Sequence, residues 1–322
     1  MENSWACGES ARAMSVNGIH HVTAIAGDAQ ANVDFYAGVL GLRLVKRTVN
    51  FDDPLSYHLY YGTEMGAPGT ILTFFAWPNA YGGQVGSGQV NATALSVPED
   101  ALGWWRERFK TMQVAHDLPL KRFGEEVLSF QDNDGMRLEL VAANDDRPAW
   151  KGGGVPEEVA IRGVHGVTAH VEGYERTAAL LTETLRFAQV GQEGNRFRFR
   201  AAGGDYGMID VVCMPDGPRS RGGAGAVHHI AWRTPSDLDQ LSWRKTLASA
   251  GMNVSTVLDR QYFHSIYFRE PSGVLFEIAT DGPGFATDEP KEKLGKSLKL
   301  PPWLEGARER IEAGLEPFTP PR

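Results

Sequence analysis

The segment Ala226-Val227-His228-His229-Ile230-Ala231 opens a predicted apolar strand with two adjacent histidines, and the chain has the same opening earlier, at Gly18-Ile19-His20-His21-Val22-Thr23. A third segment, Ser272-Gly273-Val274-Leu275-Phe276-Glu277-Ile278, follows a predicted turn and carries a carboxylate on the last strand of a hairpin. The same opening at two distant places indicates an internal repeat. A repeat has to be recognised first, because it determines the whole architecture.

Four segments share one order of predicted elements: a short strand, an amphipathic helix, and further strands that end in a glycine-containing turn and a last apolar strand. These units cover residues 18–77, 91–141, 163–213 and 226–279. In the first unit, Asp28 is a candidate N-cap for a helix that Gly41 ends. The other predicted helices cover residues 98–112, 175–185 and 237–250. This order predicts an α+β fold of four βαβββ units.

The polar residues 144–158 are rich in glycine and proline, which is typical of a boundary between domains. We therefore predict a disordered N-terminal extension, a first domain of two units, a linker, a second domain of two units and a C-terminal strap on the surface. These five parts cover residues 1–15, 16–147, 148–160, 161–281 and 282–322. The strap contains Pro301-Pro302-Trp303 and a predicted short helix over residues 304–315.

Composition narrows the class of protein. The 322 residues are enough for two domains with cores of their own, and a net charge of −8 is unfavourable for a nucleic-acid surface. The two cysteines, Cys7 and Cys213, exclude a disulfide framework and a thiolate zinc site. The sequence has no apolar run of membrane-spanning length, and residues 1–15 lack the features of a signal peptide. We expect a cytoplasmic protein without nucleic-acid or membrane partners, and we leave a homo-oligomer open.

The repeats also indicate which residues could bind a metal. The residue four positions after the turn glycine is Thr73 in the first unit, Glu139 in the second and Glu277 in the fourth, and Asp210 lies nearby in the third. Successive strand residues face opposite sides of a sheet, so only one histidine of each doublet should face the cleft fully. The third unit has His165-Gly166 in place of a doublet, which favours the second histidine as the ligand.

We therefore predict one metal site, formed by units one and four, with His21, His229 and Glu277 as ligands. Thr73 is a poor ligand, so coordination positions on the ion would stay open. Two histidines and one carboxylate on one face of the ion favour Fe(II), although Mn(II) suits the same ligands. A structural zinc site would normally be closed by four ligands.

Longer motifs accompany these residues: His20-His21-Val22-Thr23, Leu44-Val45-Lys46-Arg47-Thr48-Val49-Asn50, Tyr57-His58-Leu59-Tyr60-Tyr61, Gly66-Ala67-Pro68-Gly69-Thr70, His228-His229, and Tyr262-Phe263-His264-Ser265-Ile266-Tyr267-Phe268-Arg269-Glu270-Pro271. With them the chain resembles the vicinal oxygen chelate superfamily of glyoxalases, bleomycin-resistance proteins and extradiol dioxygenases. Within it, the chain is similar to the ring-cleaving dioxygenases that act on hydroquinones. The resemblance covers nearly all of residues 18–318. It implies two domains of paired βαβββ units, each forming a curved mixed sheet around a cleft, and the same three metal ligands.

The resemblance also implies four catalytic residues near the metal: Tyr267, Arg260, His20 and His228. Tyr267 would hydrogen-bond an oxygen of the substrate, Arg260 would stabilise negative charge, and His20 or His228 could move a proton. Strand alternation alone would turn the two histidines away from the cleft. His58 is a weaker candidate for the same surroundings.

The register of the last hairpin gives a separate prediction for Tyr267. If Phe268 pairs with Val274, then Tyr267 lies opposite Leu275 and Ser265 lies opposite Glu277, with these four side chains on one face. Tyr267 should then point into the metal cleft. The alternative is that Tyr267 is an ordinary core aromatic of a strand.

The resemblance implies an Fe(II)-dependent dioxygenase of aromatic compound degradation, which inserts both atoms of O2 into a hydroquinone or a catechol-like aromatic diol. A glyoxalase-like metal-dependent isomerase is one alternative. It requires a base in the fourth ligand position, where this chain has Thr73. A metal-free protein that binds a toxic small molecule and confers resistance is another alternative, and the complete ligand triad is unfavourable for it. The sequence does not identify the quinol or catechol.

Overall fold

The computed structural model describes residues 14–203 and 206–321, and this part of the chain contains sixteen strands. In chain order they are β1 (Ile19–Ala26), β2 (Arg43–Asn50), β3 (Asp53–Gly62), β4 (Ile71–Ala76), β5 (Gln89–Val97), β6 (Leu120–Arg122), β7 (Glu125–Gln131), β8 (Arg137–Ala142), β9 (Gly163–Val171), β10 (Ala188–Glu193), β11 (Arg196–Arg200), β12 (Met208–Cys213), β13 (Val227–Thr234), β14 (Leu258–Asp259), β15 (Phe263–Arg269) and β16 (Leu275–Pro283).

The helices are α1 (Ala29–Val33), α2 (Leu102–Thr111), α3 (Tyr174–Ala179), α4 (Asp237–Ser249) and α5 (Arg308–Gly314). Two π-helical segments, Asp34–Val39 and Leu180–Thr184, continue α1 and α3. Short 3-10 turns lie at Phe285–Thr287, Lys291–Lys293 and Glu305–Ala307. Within the described residues no helix is both long and apolar enough to cross a membrane.

The strands form two mixed sheets of eight strands with the same plan. Sheet I has the order β14-β15-β16-β13-β1-β4-β3-β2, and sheet II has the order β10-β11-β12-β9-β5-β8-β7-β6. At the centre of each sheet two opening strands pair antiparallel, and each pairs in parallel on its other side with the last strand of its own unit. This confirms the predicted α+β fold of paired βαβββ units in two curved mixed sheets.

The two sheets are not formed by consecutive units. Sheet I combines the first and fourth units, and sheet II combines the second and third. The reason is the free edge of each opening strand: β13 occupies the free edge of β1, and β9 occupies that of β5. The sheets therefore do not follow the predicted domains 16–147 and 161–281. The boundary over residues 148–160 stays a prediction, and most of the predicted extension 1–15 lies outside the described residues.

Helix ends in sheet I follow the capping residues of the sequence. Asp28 accepts a hydrogen bond from the Ala31 N–H at the start of α1, and Gly41 has a φ of +70° after the π-helical segment that follows it. The helix of the second unit begins at Leu102, four residues after the predicted start at Pro98. Trp105 on α2 is completely buried, so this helix contributes its apolar side to the core of sheet II.

The C-terminal segment packs along the outer strand β2 of sheet I. The ammonium group of Lys46, which is fully buried, lies 2.5 Å from carboxylate oxygens of both Asp288 and Glu289. Further along, the ring of Trp303 meets the ring of Phe51 edge-on, with 5.7 Å between their centroids. A buried ammonium group needs such partners because its desolvation is costly. The segment is therefore bound to the sheet by charge pairs and aromatic contacts.

The register of the β15–β16 hairpin differs from the prediction. Tyr267 lies opposite Glu277, not Leu275, and Ser265 lies opposite Ala279, not Glu277. The loop is longer than assumed because Glu270 caps it: one of its carboxylate oxygens accepts the N–H groups of Ser272 and Val274. The offset is two residues, which leaves every side chain on its predicted face.

Candidate metal centre

Three buried side chains of sheet I converge on one point. Nε2 of His21 lies 3.3 Å from Nε2 of His229, and Oε2 of Glu277 lies 3.4 Å from the first and 2.9 Å from the second. The exposed fractions of His21, His229 and Glu277 are 2%, 4% and 0%. These three residues are the ligands predicted from the sequence. They form a group with the donor types and spacing that a metal ion requires.

The strand register explains why these residues meet. In the centre of sheet I, Thr23 of β1 pairs with His229 of β13. Thr23 lies two positions after His21 on the same strand, so the two side chains share a face. On the other side of β13, Ala231 pairs with Glu277 of β16. Residues two apart share a face, so neighbouring strands bring His21, His229 and Glu277 to one side of the sheet.

The hydrogen bonds at this point fit a cation. Oε1 of Glu277 accepts a hydrogen bond from the buried hydroxyl of Ser265, whereas Oε2 is buried and has no partner other than the two imidazoles in the described part of the chain. This second oxygen instead faces two imidazole nitrogens. Three lone pairs directed at one point in a buried site are costly unless a positive ion occupies it, so the donor set fits a divalent metal.

The protonation states agree with this fit. Burial alone would raise the pKa of Glu277, but the imidazoles of His21 and His229 hold it well below its usual range. Burial lowers the pKa of His229 below its ordinary value, although Glu277 opposes the change. A carboxylate and a neutral imidazole are the forms that coordinate metals.

The first histidine of each doublet contacts the second through the ring nitrogens that face away from the centre. Nδ1 of His20 lies 2.9 Å from Nδ1 of His21, and Nδ1 of His228 lies 2.8 Å from Nδ1 of His229. An Nε2 lone pair for a metal requires the proton on Nδ1 of each inner histidine. His20 and His228 would then accept that proton's hydrogen bond and carry their own hydrogen on Nε2.

The two outer histidines differ in their surroundings. His228 faces a cavity beside the centre, whereas His20 is buried behind His21 against the ring of Phe263, at a centroid distance of 4.9 Å. Burial, and then the neighbouring His21, lowers the pKa of His20 to about 3. Burial, and then His229, lowers the pKa of His228 to about 3. Both rings are therefore neutral near pH 7.

Tyr267 and Arg260 lie together on the cavity side of the centre. The Tyr267 ring is edge-on to His229 at a centroid distance of 5.6 Å, and Arg260 Nε donates to the Tyr267 hydroxyl at 3.3 Å. Burial, and then the charge of Glu277, raises the pKa of Tyr267 above its usual value, so the group is a neutral phenol. Arg260 Nη1 also donates to Asp52 at 3.0 Å.

The fourth ligand position is occupied by a hydroxyl that is already engaged. Thr73 Oγ1 is hydrogen-bonded to Nε2 of His58 at 2.7 Å and donates to Thr23 at 3.0 Å. Nδ1 of His58 lies 2.9 Å from the Tyr60 hydroxyl. Burial, followed by His21, His229 and Arg260, lowers the pKa of His58 well below its ordinary value. The position therefore contains a neutral hydrogen-bonded network.

A cavity of about 410 Å³ opens from the centre to the surface. Its apolar walls are the rings of Phe51, Tyr60, Phe75, Trp77 and Phe263 with the side chain of Leu275. Its polar groups beside the candidate ligands include Asp52, His58, His228, Arg260 and Tyr267. A cavity of this size, lined by aromatic rings next to the candidate ligands, suits a small aromatic molecule.

Asp52 and Ser265 were not predicted as functional residues from the sequence. Asp52 follows β2 in a turn, where a carboxylate is ordinary, and no sequence signal relates it to Arg260. The signal for Ser265 was present, because strand alternation already put it on the face of Glu277. Its hydroxyl now proves to be the donor that orients the carboxylate.

The chain matches known proteins over most of its length. The family model described as the glyoxalase/bleomycin resistance protein/dioxygenase superfamily matches residues 18–140 and 163–278. The provisionally named ring-cleaving dioxygenase MhqO of Bacillus subtilis (strain 168) is 50% identical over 302 residues, which cover 94% of this chain and 96% of that protein. Chlorohydroquinone/hydroquinone 1,2-dioxygenase of Sphingobium indicum is 36% identical over 307 residues, covering 92% of this chain and 95% of that protein.

A solved structure agrees with these matches. A crystal structure of a provisionally named dioxygenase from Bacillus subtilis subsp. subtilis str. 168 superposes with a TM-score of 0.92 at 49% sequence identity. The superposition covers 95% of this chain and 99% of that chain. The whole two-sheet architecture is therefore shared with that protein.

Proposed function

The chain belongs to the glyoxalase/bleomycin resistance protein/dioxygenase superfamily, and we propose that it is an Fe(II)-dependent ring-cleaving dioxygenase that inserts both atoms of O2 into a hydroquinone or catechol-like diol. Relatives named as ring-cleaving dioxygenases support the reaction class. The name of one of them, chlorohydroquinone/hydroquinone 1,2-dioxygenase, supports a quinol as the substrate.

The observation that carries the proposal is a three-residue ligand set that borders an aromatic cavity. His21, His229 and Glu277 would hold the metal from one side and leave positions open towards the cavity. Fe(II) is the metal we assign, with Mn(II) as the ion that suits the same ligands. When bound, the ion would act as a Lewis acid that lowers the pKa of a phenolic oxygen and holds O2 beside the ring.

The aromatic walls of the cavity would bind and orient the substrate. Phe75, Trp77 and Phe263 offer ring faces and edges on the sides of the cavity, and these contacts favour a flat aromatic guest over an aliphatic one. Binding in one orientation reduces the entropy cost of bringing the ring next to O2. The same apolar walls would keep bulk water away from the reacting atoms.

Tyr267 and Arg260 would stabilise negative charge on oxygen during the reaction. Tyr267 is a neutral phenol and can donate its proton in a hydrogen bond to a substrate oxygen. Burial opposes the charged form of Arg260, but Tyr267 and Asp52 raise its pKa above the ordinary value, so it stays a guanidinium. Asp52 would act as a positioning residue, because its contact with Nη1 directs the remaining donors of Arg260 towards Tyr267.

The two outer histidines would have different roles. His228 faces the cavity, and its Nε2 could exchange a proton with the substrate. His20 is buried behind His21 and would be a positioning residue, which accepts the His21 Nδ1 hydrogen bond and fixes the orientation of that ligand.

The alternative of a glyoxalase-like isomerase is less well supported. It needs a base in the fourth ligand position, and Thr73 is hydrogen-bonded there to His58 and Thr23. A metal-free resistance protein would leave the buried Oε2 of Glu277 without a counter-charge.

Oxygen uptake separates the three functions. Protein loaded anaerobically with Fe(II) is mixed with O2 and a panel of hydroquinones, catechols and a methylglyoxal–thiol adduct. The proposal requires O2 consumption that depends on a quinol or catechol. Conversion of the thiol adduct without O2 would instead identify an isomerase, and tight binding of a quinol with no turnover would identify a binding protein.

A further inference from the structure

Sheet II has a cavity of its own, of about 540 Å³. The strand registers show how its location relates to the metal centre. In sheet I, Thr23 pairs with Thr73 and Ala231 pairs with Glu277. The same positions in sheet II pair Ala94 with Glu139 and Thr168 with Asp210. Glu139 and Asp210 therefore replace Thr73 and Glu277, and both Glu139 and Thr168 are at the cavity.

The two histidine positions are not retained in sheet II. Ala92 takes the position of His21, because Ala92 pairs with Thr168 as His21 pairs with Ala231. Gly166 takes the position of His229, because Gly166 pairs with Ala94 as His229 pairs with Thr23. The cavity therefore has no imidazole at either ligand position. A second transition-metal site of the first type is excluded on these residues alone.

Glu139 and Asp210 both have the hydrogen bonds of their carboxylates satisfied by arginines. Both oxygens of Glu139 accept from Arg122, at 2.8 and 3.0 Å. Both oxygens of Asp210 accept from Arg198, at 2.7 and 3.1 Å, and Arg196 Nη1 adds a third contact at 3.0 Å. Neither acid has an oxygen without a hydrogen bond to offer a cation. The other acid of the lining, Asp117, is exposed at the cavity, so the unused buried hydrogen-bonding groups to consider are the donors of the arginines.

The surplus donors are on Arg196. Its Nη1 is used by Asp210 and Thr168, whereas its Nε and Nη2 have no acceptor among the described residues. These two nitrogens lie on one edge of the guanidinium and form the fork that binds a carboxylate through two parallel hydrogen bonds. The Arg196 side chain is 20% exposed and lines the cavity, so the fork is accessible from it.

The charges around the cavity agree with the donor count. Burial, and then the guanidinium of Arg122, lowers the pKa of Arg196, although the carboxylates of Asp210 and Glu139 oppose the change. Burial, followed by Arg196 and Arg137, lowers the pKa of His170 on the cavity wall to about 4. The lining contains three arginines, Arg122, Arg137 and Arg196, against two acids, Asp117 and Glu139, so a bound anion would be favoured by charge.

We propose that the sheet II cavity is a binding site for a small organic anion, with the Nε and Nη2 groups of Arg196 gripping a carboxylate of the ligand and Arg137 at the mouth adding a second positive charge. The carboxylate is favoured over a larger phosphorylated ligand because the free donors are a single planar fork. This site is independent of the reaction at the metal centre.

Isothermal titration of cis,cis-muconate, a six-carbon dicarboxylate, into the full-length metal-free protein tests the proposal. We expect one muconate per chain, and no heat from its neutral dimethyl ester. Arg196→Gln should weaken binding by roughly tenfold or more, since two charge-assisted hydrogen bonds are lost. Asp210 keeps its two bonds to Arg198, so this variant should fold, and its circular dichroism spectrum checks that.

Three further variants, and inorganic phosphate as a second ligand, make the outcome decisive. Arg137→Gln is at an exposed position with no ion pair in the described residues, and should weaken binding without any risk to the fold. Arg200→Gln, on the same strand as Arg196, and Arg260→Gln, in the metal-centre cavity, should leave the affinity unchanged. Absence of muconate binding, loss of binding in Arg260→Gln with normal binding in Arg196→Gln, or equal affinity for inorganic phosphate would each overturn the proposal.

Discussion

Arg260 Nη1 donates to a carboxylate oxygen of Asp52 at 3.0 Å, and this ion pair joins the turn after β2 to the turn after β14 across the mouth of the metal-centre cavity. The Asp52 side chain is 73% exposed, whereas that of Arg260 is 19% exposed. The exposed Asp52 therefore fixes the position of the less exposed Arg260, whose Nε donates to the hydroxyl of Tyr267.

Asp52→Asn should lower kcat/KM on the best quinol by roughly two- to fivefold, the size expected for losing an exposed ion pair. Metal content should not change, because no ligand is altered. Asp237→Asn, which removes the exposed partner of His264, is the matched control. In an Arg260→Gln background, Asp52→Asn should have no further effect. Additive losses in the double variant would show that Asp52 acts independently of Arg260.

Removing the hydroxyl of Tyr267 should separate chemistry from binding. Tyr267→Phe should retain the metal and lower kcat by roughly ten- to a thousandfold, the scale of one donor to developing charge. KM should change less, because the hydrogen bond would be strongest after the substrate has bound. Tyr57→Phe, on β3 outside the cavity, is the control and should be fully active. An unchanged kcat in Tyr267→Phe would make Tyr267 an ordinary strand aromatic.

Metal analysis tests the ligand assignment. The purified protein, loaded anaerobically, should contain close to one ion per chain. His21→Ala, His229→Ala and Glu277→Ala should each lose it while the circular dichroism spectrum stays native, and His116→Ala, outside the site, should retain it. Two ions per chain, or full metal content in Glu277→Ala, would contradict the assignment.

The element order and the faces of the strands were accessible from the sequence because both depend on local periodicity. Ile19–Ala26 and Gly163–Val171 are strands at the start of the predicted units 18–77 and 163–213. His21 and His229 could be selected by comparing the histidine doublets with His165-Gly166 of the third unit. That comparison uses only strand alternation and the residue type at each position, and no tertiary contact. The same local rules placed Tyr267 and Glu277 on one face.

Properties that depend on distant contacts were not accessible. The predicted register of the β15–β16 hairpin was wrong by two residues because the Glu270 carboxylate caps the loop. Hydrophobic periodicity gives no indication of such a cap. The pairing of β1 with β13 and of β5 with β9 is a choice between free strand edges of similar sequence. Asp52 and Arg260 are 208 positions apart, and their contact follows only from that pairing.

The lowered pKa of His170 predicts that the stability of the protein depends on pH. Its pKa is about 4 in the folded protein and near 6.5 when unfolded, so the folded state binds this proton less readily. The stability that neutral His170 contributes is therefore present above pH 6.5 and lost as the pH falls towards 4. His170→Gln should show a smaller drop in Tm between pH 7 and pH 4.5 than the wild type. An identical drop in the two proteins would contradict the shift, since every other histidine is common to both.

The most direct measurement of the central claim is the fate of the oxygen atoms. The Fe(II)-loaded protein converts hydroquinone under ¹⁸O2, the product is trapped at once by borohydride reduction to prevent exchange with water, and its mass is determined. We predict a ring-opened product that carries two ¹⁸O atoms, and no such product from Glu277→Ala. A product with one label or none, or an intact oxidised ring, would contradict ring cleavage by a dioxygenase at this centre.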